Sequence, residues 1–196
     1  MRLYFLRHGQ AGNPDEWPHD DDERPLTKRG MAETAATALG MRWLDLRIEL
    51  VLSSPYVRAH QTALITAGEL GLGVQEVDGL APGCTLTMLA DVLAAHLPEG
   101  PPADAAGTHD DDDAAARKPA YGVLLVGHEP DFSEIIGAIV GRKGAAAVQL
   151  KKGALCRVDL DPTIPGWRWS AANLRGAGRL AWLLTAKQLG RLGAGD

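Results

Sequence analysis

Short apolar runs that stop abruptly at polar, glycine- or proline-bearing segments set the rhythm of this chain. Residues 1–6 read Met-Arg-Leu-Tyr-Phe-Leu and stop at Arg7-His8-Gly9. A run this short, aromatic and aliphatic and free of proline, predicts a buried β-strand. Leu50-Val51-Leu52 repeats the pattern and stops at Ser53-Ser54-Pro55. The clearest run, residues 121–126, stops at Gly127-His128-Glu129-Pro130. Its unbroken apolar character predicts a parallel central strand covered on both faces. Residues 74–77 predict a short strand and residues 154–160 alternate as another, while residues 167–170 and 180–184 are expected to finish the sheet edge or the C-terminal packing.

Between these runs the apolar period lengthens to that of a helix. Thr27 reads as an N-cap, followed by Met31, Ala35, Ala38, Leu39 and Arg42 at helical spacing, a face expected to pack on the sheet. Ser54 as N-cap with Pro55 at the first helical position predicts a second helix through Arg58, Thr62, Ile65 and Glu69 to Gly71. Residues 85–97 and 131–140 predict two more. Strands alternating with helices imply an α/β protein with a mostly parallel sheet. No repeat or second domain is visible, so residues 1–196 are read as one domain. Residues 98–120, rich in Pro, Gly and Ala and carrying four consecutive aspartates, are read as a flexible acidic loop. A metal site from His109 and these aspartates is the functional alternative to a merely solvated run. Residues 10–24 form a long polar loop at a strand end, where covers of active sites often lie, although a solvated connection explains it equally well.

Composition narrows the classes. The 196 residues suffice for a sizeable core, and 45% hydrophobic with 23% charged residues is ordinary for a globular protein. The net charge of −5 speaks against general nucleic-acid binding. Residues 98–120 hold six carboxylates against Arg117 and Lys118, a balance of −4, which leaves the rest of the chain at −1 and tolerant of an anionic substrate. Cys84 and Cys156 lie far apart without metal-ligand spacing and read as reduced thiols of a cytoplasmic protein. Neither has Arg six positions later, so the phosphate loop of thiol phosphatases is absent. The apolar run before Arg7 is too short for a secretory signal, and no run approaches transmembrane length, so no membrane partner is expected.

The candidate chemistry sits where the apolar runs stop. In open α/β sheets ligands bind at the carboxyl ends of strands. Arg7 offers a bidentate fork to phosphate oxygens, and Gly9, lacking a Cβ, lets the backbone turn and approach a ligand. Arg58 lies in the first turns of a helix just after a strand, where backbone N–H groups already favour anions; its bland alternative is a surface arginine paired with the acidic cluster at 20–23. His60 faces elsewhere on that helix, and His96 reads as a helix-end residue. His128 repeats the strand, glycine, histidine and turn of the first site. Two arginines and two histidines at one sheet rim make an anion pocket, and two guanidinium groups oppose a metal cation there. No nucleotide-binding glycine loop, zinc motif or nucleophile elbow competes.

These residues resemble the histidine phosphatase superfamily. The resemblance rests on Leu6-Arg7-His8-Gly9-Gln10-Ala11, Arg24-Pro25-Leu26-Thr27-Lys28-Arg29-Gly30, residues 53–63 around Arg58, and Val126-Gly127-His128-Glu129-Pro130, in that order. Within the superfamily the chain is similar to the small SixA-type phosphohistidine phosphatases, and Ala11 differs from the Ser or Thr usual in cofactor-dependent phosphoglycerate mutases. The resemblance implies a three-layer α/β/α sandwich of the phosphoglycerate-mutase-like kind. It also implies His8 as nucleophile, with its other ring nitrogen donating to a backbone carbonyl, and Arg7, Arg58 and His128 on the phosphoryl oxygens. No cofactor or metal is implied. Glu129 stands where one branch of the superfamily carries its general acid; its plain alternative is a carboxylate favoured at a helix N-terminus. The implied partner is a phosphorylated substrate, a phosphohistidine protein or a small phosphoester. A mutase-like phosphoryl transferase and a non-catalytic phosphate-binding module are the alternatives.

Overall fold

The apolar runs assemble into one sheet. Its strands are β1 (Arg2–Arg7), β2 (Leu50–Ser53), β3 (Gln75–Glu76), β4 (Gly122–Gly127), β5 (Leu155–Leu160) and β6 (Gly178–Leu184), in the order β3-β2-β4-β1-β5-β6. The structure is a computed structural model that describes residues 1–97, 121–141, 148–160 and 167–195. The acidic segment 98–120, with His109 and its aspartates, lies outside the described residues. Strands β1 to β4 run parallel, and β5 lies antiparallel to both β1 and β6.

Alternation along the central strands divides the core into two layers. Leu3 and Phe5 of β1 and Val123 and Leu125 of β4 face one side, with α3 (Leu86–His96), α4 (Asp131–Val140) and the short α5 (Ala171–Leu174). Tyr4, Leu6, Leu124 and Val126 face the other, with α1 (Lys28–Trp43), α2 (Val57–Leu70) and α6 (Ala186–Ala194). The result is a three-layer α/β/α sandwich around a mostly parallel sheet. Among the described residues no helix is long and apolar enough to cross a membrane.

The structure alters or narrows the local reading at four places. Ser54 does not cap α2 directly; Tyr56 is the N-cap, Pro55 precedes the helix, and Ser54 Oγ accepts from the Tyr56 N–H at 3.2 Å. The buried face of α1 is Gly30, Thr34, Thr37, Ala38, Gly40 and Met41, whereas Met31 and Leu39 are 39% and 44% exposed. Small residues win there because α1 packs closely against its neighbours α2 and α6. Of the two roles open to residues 167–170, packing is the one taken: they form no strand, and Trp167 and Trp169 are buried in the core layer that holds α3, α4 and α5. Helix α6, not anticipated, opens with a capping box between Thr185 and Gln188.

Register decides where chemistry gathers. Arg7 pairs with Gly127 and Ser53 with Val126, so the three central strands end on one line. The residues stepping off that line are His8, Ser54 and His128. Because β5 runs the opposite way, the segment that precedes it reaches the same rim.

Candidate active site

The two histidines face each other across the strand ends, with ring centroids 5.3 Å apart. Both are buried, 8% exposed for His8 and 3% for His128. His8 Nδ1 donates to the Gly9 carbonyl oxygen at 2.7 Å, so Nε2 is the unprotonated nitrogen of the neutral ring. Burial is the main reason that the His8 pKa is pushed down to about 3; the Gly9 bond opposes it, and Arg58, Arg7 and Lys152 reinforce it. His128 is likewise pushed down to about 3, first by burial, then by His8 and Arg58. Its Nε2 lies 2.8 Å from Ser54 Oγ, and its ring meets that of Tyr56 edge-on at 5.2 Å.

Both predicted arginines flank this pair. Arg7 Nη1 donates to the Leu150 carbonyl at 2.8 Å, and Arg58 is buried at 4% exposure with its guanidinium 4.9 Å from the Tyr56 ring centroid. The Nε atoms of both arginines are buried and have no hydrogen-bond partner among the described residues. Burial lowers both guanidinium pKa values from the ordinary one, against the pull of Glu129 on Arg7 and of Asp21 on Arg58. Both readings of Arg58 meet here: it is a buried rim arginine and it pairs with the acidic cluster. Arg58 Nη1 donates to the Asp21 carbonyl at 2.6 Å and Nη2 to Asp21 Oδ2 at 2.9 Å. Arg24 Nε holds the other carboxylate oxygen, Oδ1, at 2.8 Å and its Nη1 donates to the Gly12 carbonyl. Partial burial pushes the Asp21 carboxyl up, but Arg24 and Arg58 together outweigh it and hold the pKa below the ordinary value. The 10–24 loop is thus folded onto the site through Asp21 and Arg24.

The segments behind the site interlock. The Gly9 N–H donates to Thr62 Oγ1 at 3.0 Å, and that hydroxyl donates to the Arg58 carbonyl at 2.7 Å. Leu26 N–H donates to Gln61 Oε1, and Thr27 N–H to the Gln10 carbonyl. A Cβ on Gly30 would collide with that same Gln10 carbonyl, and one on Gly9 would come within 2.5 Å of Thr34 Oγ1. Gly9 therefore makes room for α1, and its N–H is engaged by Thr62.

Arg7, His8, Arg58, His128 and Glu129 line one open cleft of about 330 Å³, together with Asp21, Arg24, Tyr56 and Lys152; Gly9 lies behind its wall. Glu129 Oε2 accepts from Ser133 Oγ at 2.6 Å, while Oε1 is buried without a hydrogen-bond partner among the described residues. Lys152 is exposed at the rim, on the segment leading into β5. Sequence reasoning missed Asp21, Arg24, Tyr56, Ser54 and Lys152 as site residues. The signal for Lys152 was the basic turn Lys151-Lys152-Gly153 just before a strand. His60 is half-buried with Nε2 3.3 Å from a Glu76 carboxylate oxygen, and it does not line the cleft. Among the described residues no cluster of three or more His, Cys, Asp or Glu side chains is arranged to hold a metal ion.

The sequence profile of the histidine phosphatase superfamily (branch 1) matches residues 3–82, a span that ends before His128. An uncharacterized protein of Picosynechococcus sp. is 35% identical over 160 residues, covering 79% of this chain and 82% of that one. The phosphohistidine phosphatase SixA of Escherichia coli is 28% identical over 182 residues, covering 89% of this chain and 97% of its own. The solved structure of the protein histidine phosphatase SixA complexed with tungstate superposes with a TM-score of 0.69 at 21% identity, over 96% of this chain and 99% of that one, which is a likeness of fold.

Proposed function

Because the chain belongs to the histidine phosphatase superfamily, we propose that it is a phosphatase working through a phosphohistidine intermediate on His8. The observation that carries the reading is the two unpartnered, buried Nε–H groups of Arg7 and Arg58 beside a neutral His8 whose Nε2 is free. Buried donors left without a protein partner call for another acceptor, and beside the cleft a phosphoryl oxygen would supply it. His8 Nε2 attacks phosphorus, and the bond from phosphorus to the leaving nitrogen or oxygen breaks with its electron pair going to that atom. The guanidinium groups and His128 receive the phosphoryl oxygens as charge moves onto them. Water then attacks the phosphorus of phospho-His8, restoring the neutral imidazole and releasing inorganic phosphate. The guanidinium groups supply the positive charge, so this scheme uses no metal or cofactor.

Glu129 is the acid and base of this scheme. Ser133 fixes one carboxyl oxygen and leaves Oε1 to give a proton to the leaving group and take one from water. A departing imidazole needs this proton less than an alkoxide does. The similarity to SixA favours a phosphohistidine protein as substrate, with small phosphomonoesters as the second class.

Rapid quenching after incubation with a phosphohistidine donor or an aryl phosphate, followed by mass spectrometry, tests the proposal. A transient phosphoryl adduct on His8, absent in His8→Ala and followed by phosphate release, is the expected result. A long-lived adduct passed to a second acceptor would mean a phosphoryl transferase. Phosphate binding without adduct or turnover would mean a binding module.

A further inference from the structure

We propose that Ser54 sets the tautomer of His128, so that the ring presents Nδ1–H as a neutral donor to a phosphoryl oxygen. The argument counts protons. Ser54 is fully buried, and its Oγ already accepts from the Tyr56 N–H at 3.2 Å. A hydroxyl has one proton to give and lone pairs to receive others. The partner 2.8 Å away is His128 Nε2. If Nε2 carried the ring proton, Ser54 Oγ would accept twice and its own O–H would be buried without an acceptor among the described residues. Such a group is costly, and native interiors avoid it. With the O–H donating to Nε2, all three groups are satisfied. The ring proton then sits on Nδ1, the one nitrogen that Ser54 leaves available.

A neutral donor is what the neighbouring chemistry requires. The His128 ring is 5.3 Å from that of His8, on which positive charge grows as the new phosphorus–nitrogen bond forms. An imidazolium there would oppose that growth, whereas a neutral N–H still donates to the anion. Burial also disfavours the charged ring. Ser54 is therefore a positioning residue, acting through His128 and without touching substrate. This role in catalysis rests on the phosphoryl-pocket reading above, but the tautomer does not.

Heteronuclear NMR of isotope-labelled histidine separates the two. In the unaltered protein near neutral pH, Nδ1 of His128 should be the protonated, pyrrole-type nitrogen and Nε2 the pyridine-type one. Ser54→Ala should convert the ring to the Nε2–H form or a mixture and weaken inorganic phosphate binding about tenfold, the worth of one hydrogen bond to a charged group. Ser54→Thr should preserve both properties. A protonated Nε2 in the unaltered protein overturns the proposal, whether or not either variant folds; so does an Ala variant whose tautomer is unchanged. The expected tautomer with an Nδ1 resonance unmoved by inorganic phosphate would support the role of Ser54 and refute the phosphoryl pocket instead.

Discussion

The paired histidines make acid stability a direct test of the site's burial. In the folded protein His8 and His128 take up a proton only near pH 3, whereas the ordinary value is 6.5. A lowered histidine pKa means the unfolded chain binds the proton first. Stability is therefore complete above about pH 6.5 and is lost as pH falls from there towards 3. At about pH 5, each unfolded histidine is protonated and each folded one is not, which costs about 2 kcal/mol per ring, or about 4 kcal/mol for the pair. The figure follows from the ordinary pKa of the unfolded chain as long as the folded values stay well below pH 5. It is a large share of a typical domain's stability of about 5–15 kcal/mol. Urea titrations of the wild type, His8→Gln, His128→Gln and the double variant at about pH 7.5 and about pH 5 measure it. The wild type should lose about 2 kcal/mol more than either single variant and about 4 kcal/mol more than the double. The Asp21 carboxyl is common to all four proteins, so its contribution cancels to first order. Variants that lose as much as the wild type would show that the two rings titrate normally, and the case for a neutral, buried nucleophile would fall.

Glu129→Gln should lower kcat/KM for an alkyl phosphate by about 10²-fold or more and that for phosphohistidine less, because kcat/KM reports the first transfer, in which an alkoxide needs the proton more than an imidazole does; equal lowering of both would remove Glu129 from the role of acid. Gly30→Ala should cost about 1–3 kcal/mol in chemical denaturation, since its Cβ runs into the Gln10 carbonyl that also receives the Thr27 N–H. A variant as stable as the wild type would mean the turn after His8 yields freely. Lys152→Ala should raise KM for an anionic substrate severalfold at low salt and much less at high salt, as expected for an exposed rim cation. A salt-independent effect would point to direct contact instead.

Much of this was legible in the sequence because the signals were local. The strand-stop-histidine pattern at His8 and His128 needs only apolar runs and their ends, and parallel register does the rest. Thr27 was readable as a cap because its hydroxyl bonds three residues on, to the Gly30 N–H. What escaped depended on residues distant in the chain. Lys152 reaches the rim only because β5 is antiparallel, and strand polarity is not written in an alternating pattern. An ion pair between Arg58 and the acidic cluster was readable, but not that Asp21 and Arg24 would thereby line the cleft. The larger apolar residues of α1 suggested its inner face, but close approach of α2 and α6 selects the small ones. Helix α6 carried a legible Thr-x-x-Gln start, yet its glycine- and charge-rich body obscured it.

The Thr62 hydroxyl has a consequence for how the cleft responds to a ligand. It receives the Gly9 N–H beside the nucleophile and donates to the Arg58 carbonyl, so a single oxygen ties the end of β1 to the first turn of α2. The nucleophile's turn and the clamp's helix are therefore held to one another by bonds that need no ligand. Adjustment to a ligand then falls on the outer parts of the rim, the exposed stretch of the 10–24 loop around Asp21 and the exposed Lys152 side chain. Selectivity can then drift by exchanging these outer pieces while the phosphoryl-transfer machinery keeps its dimensions.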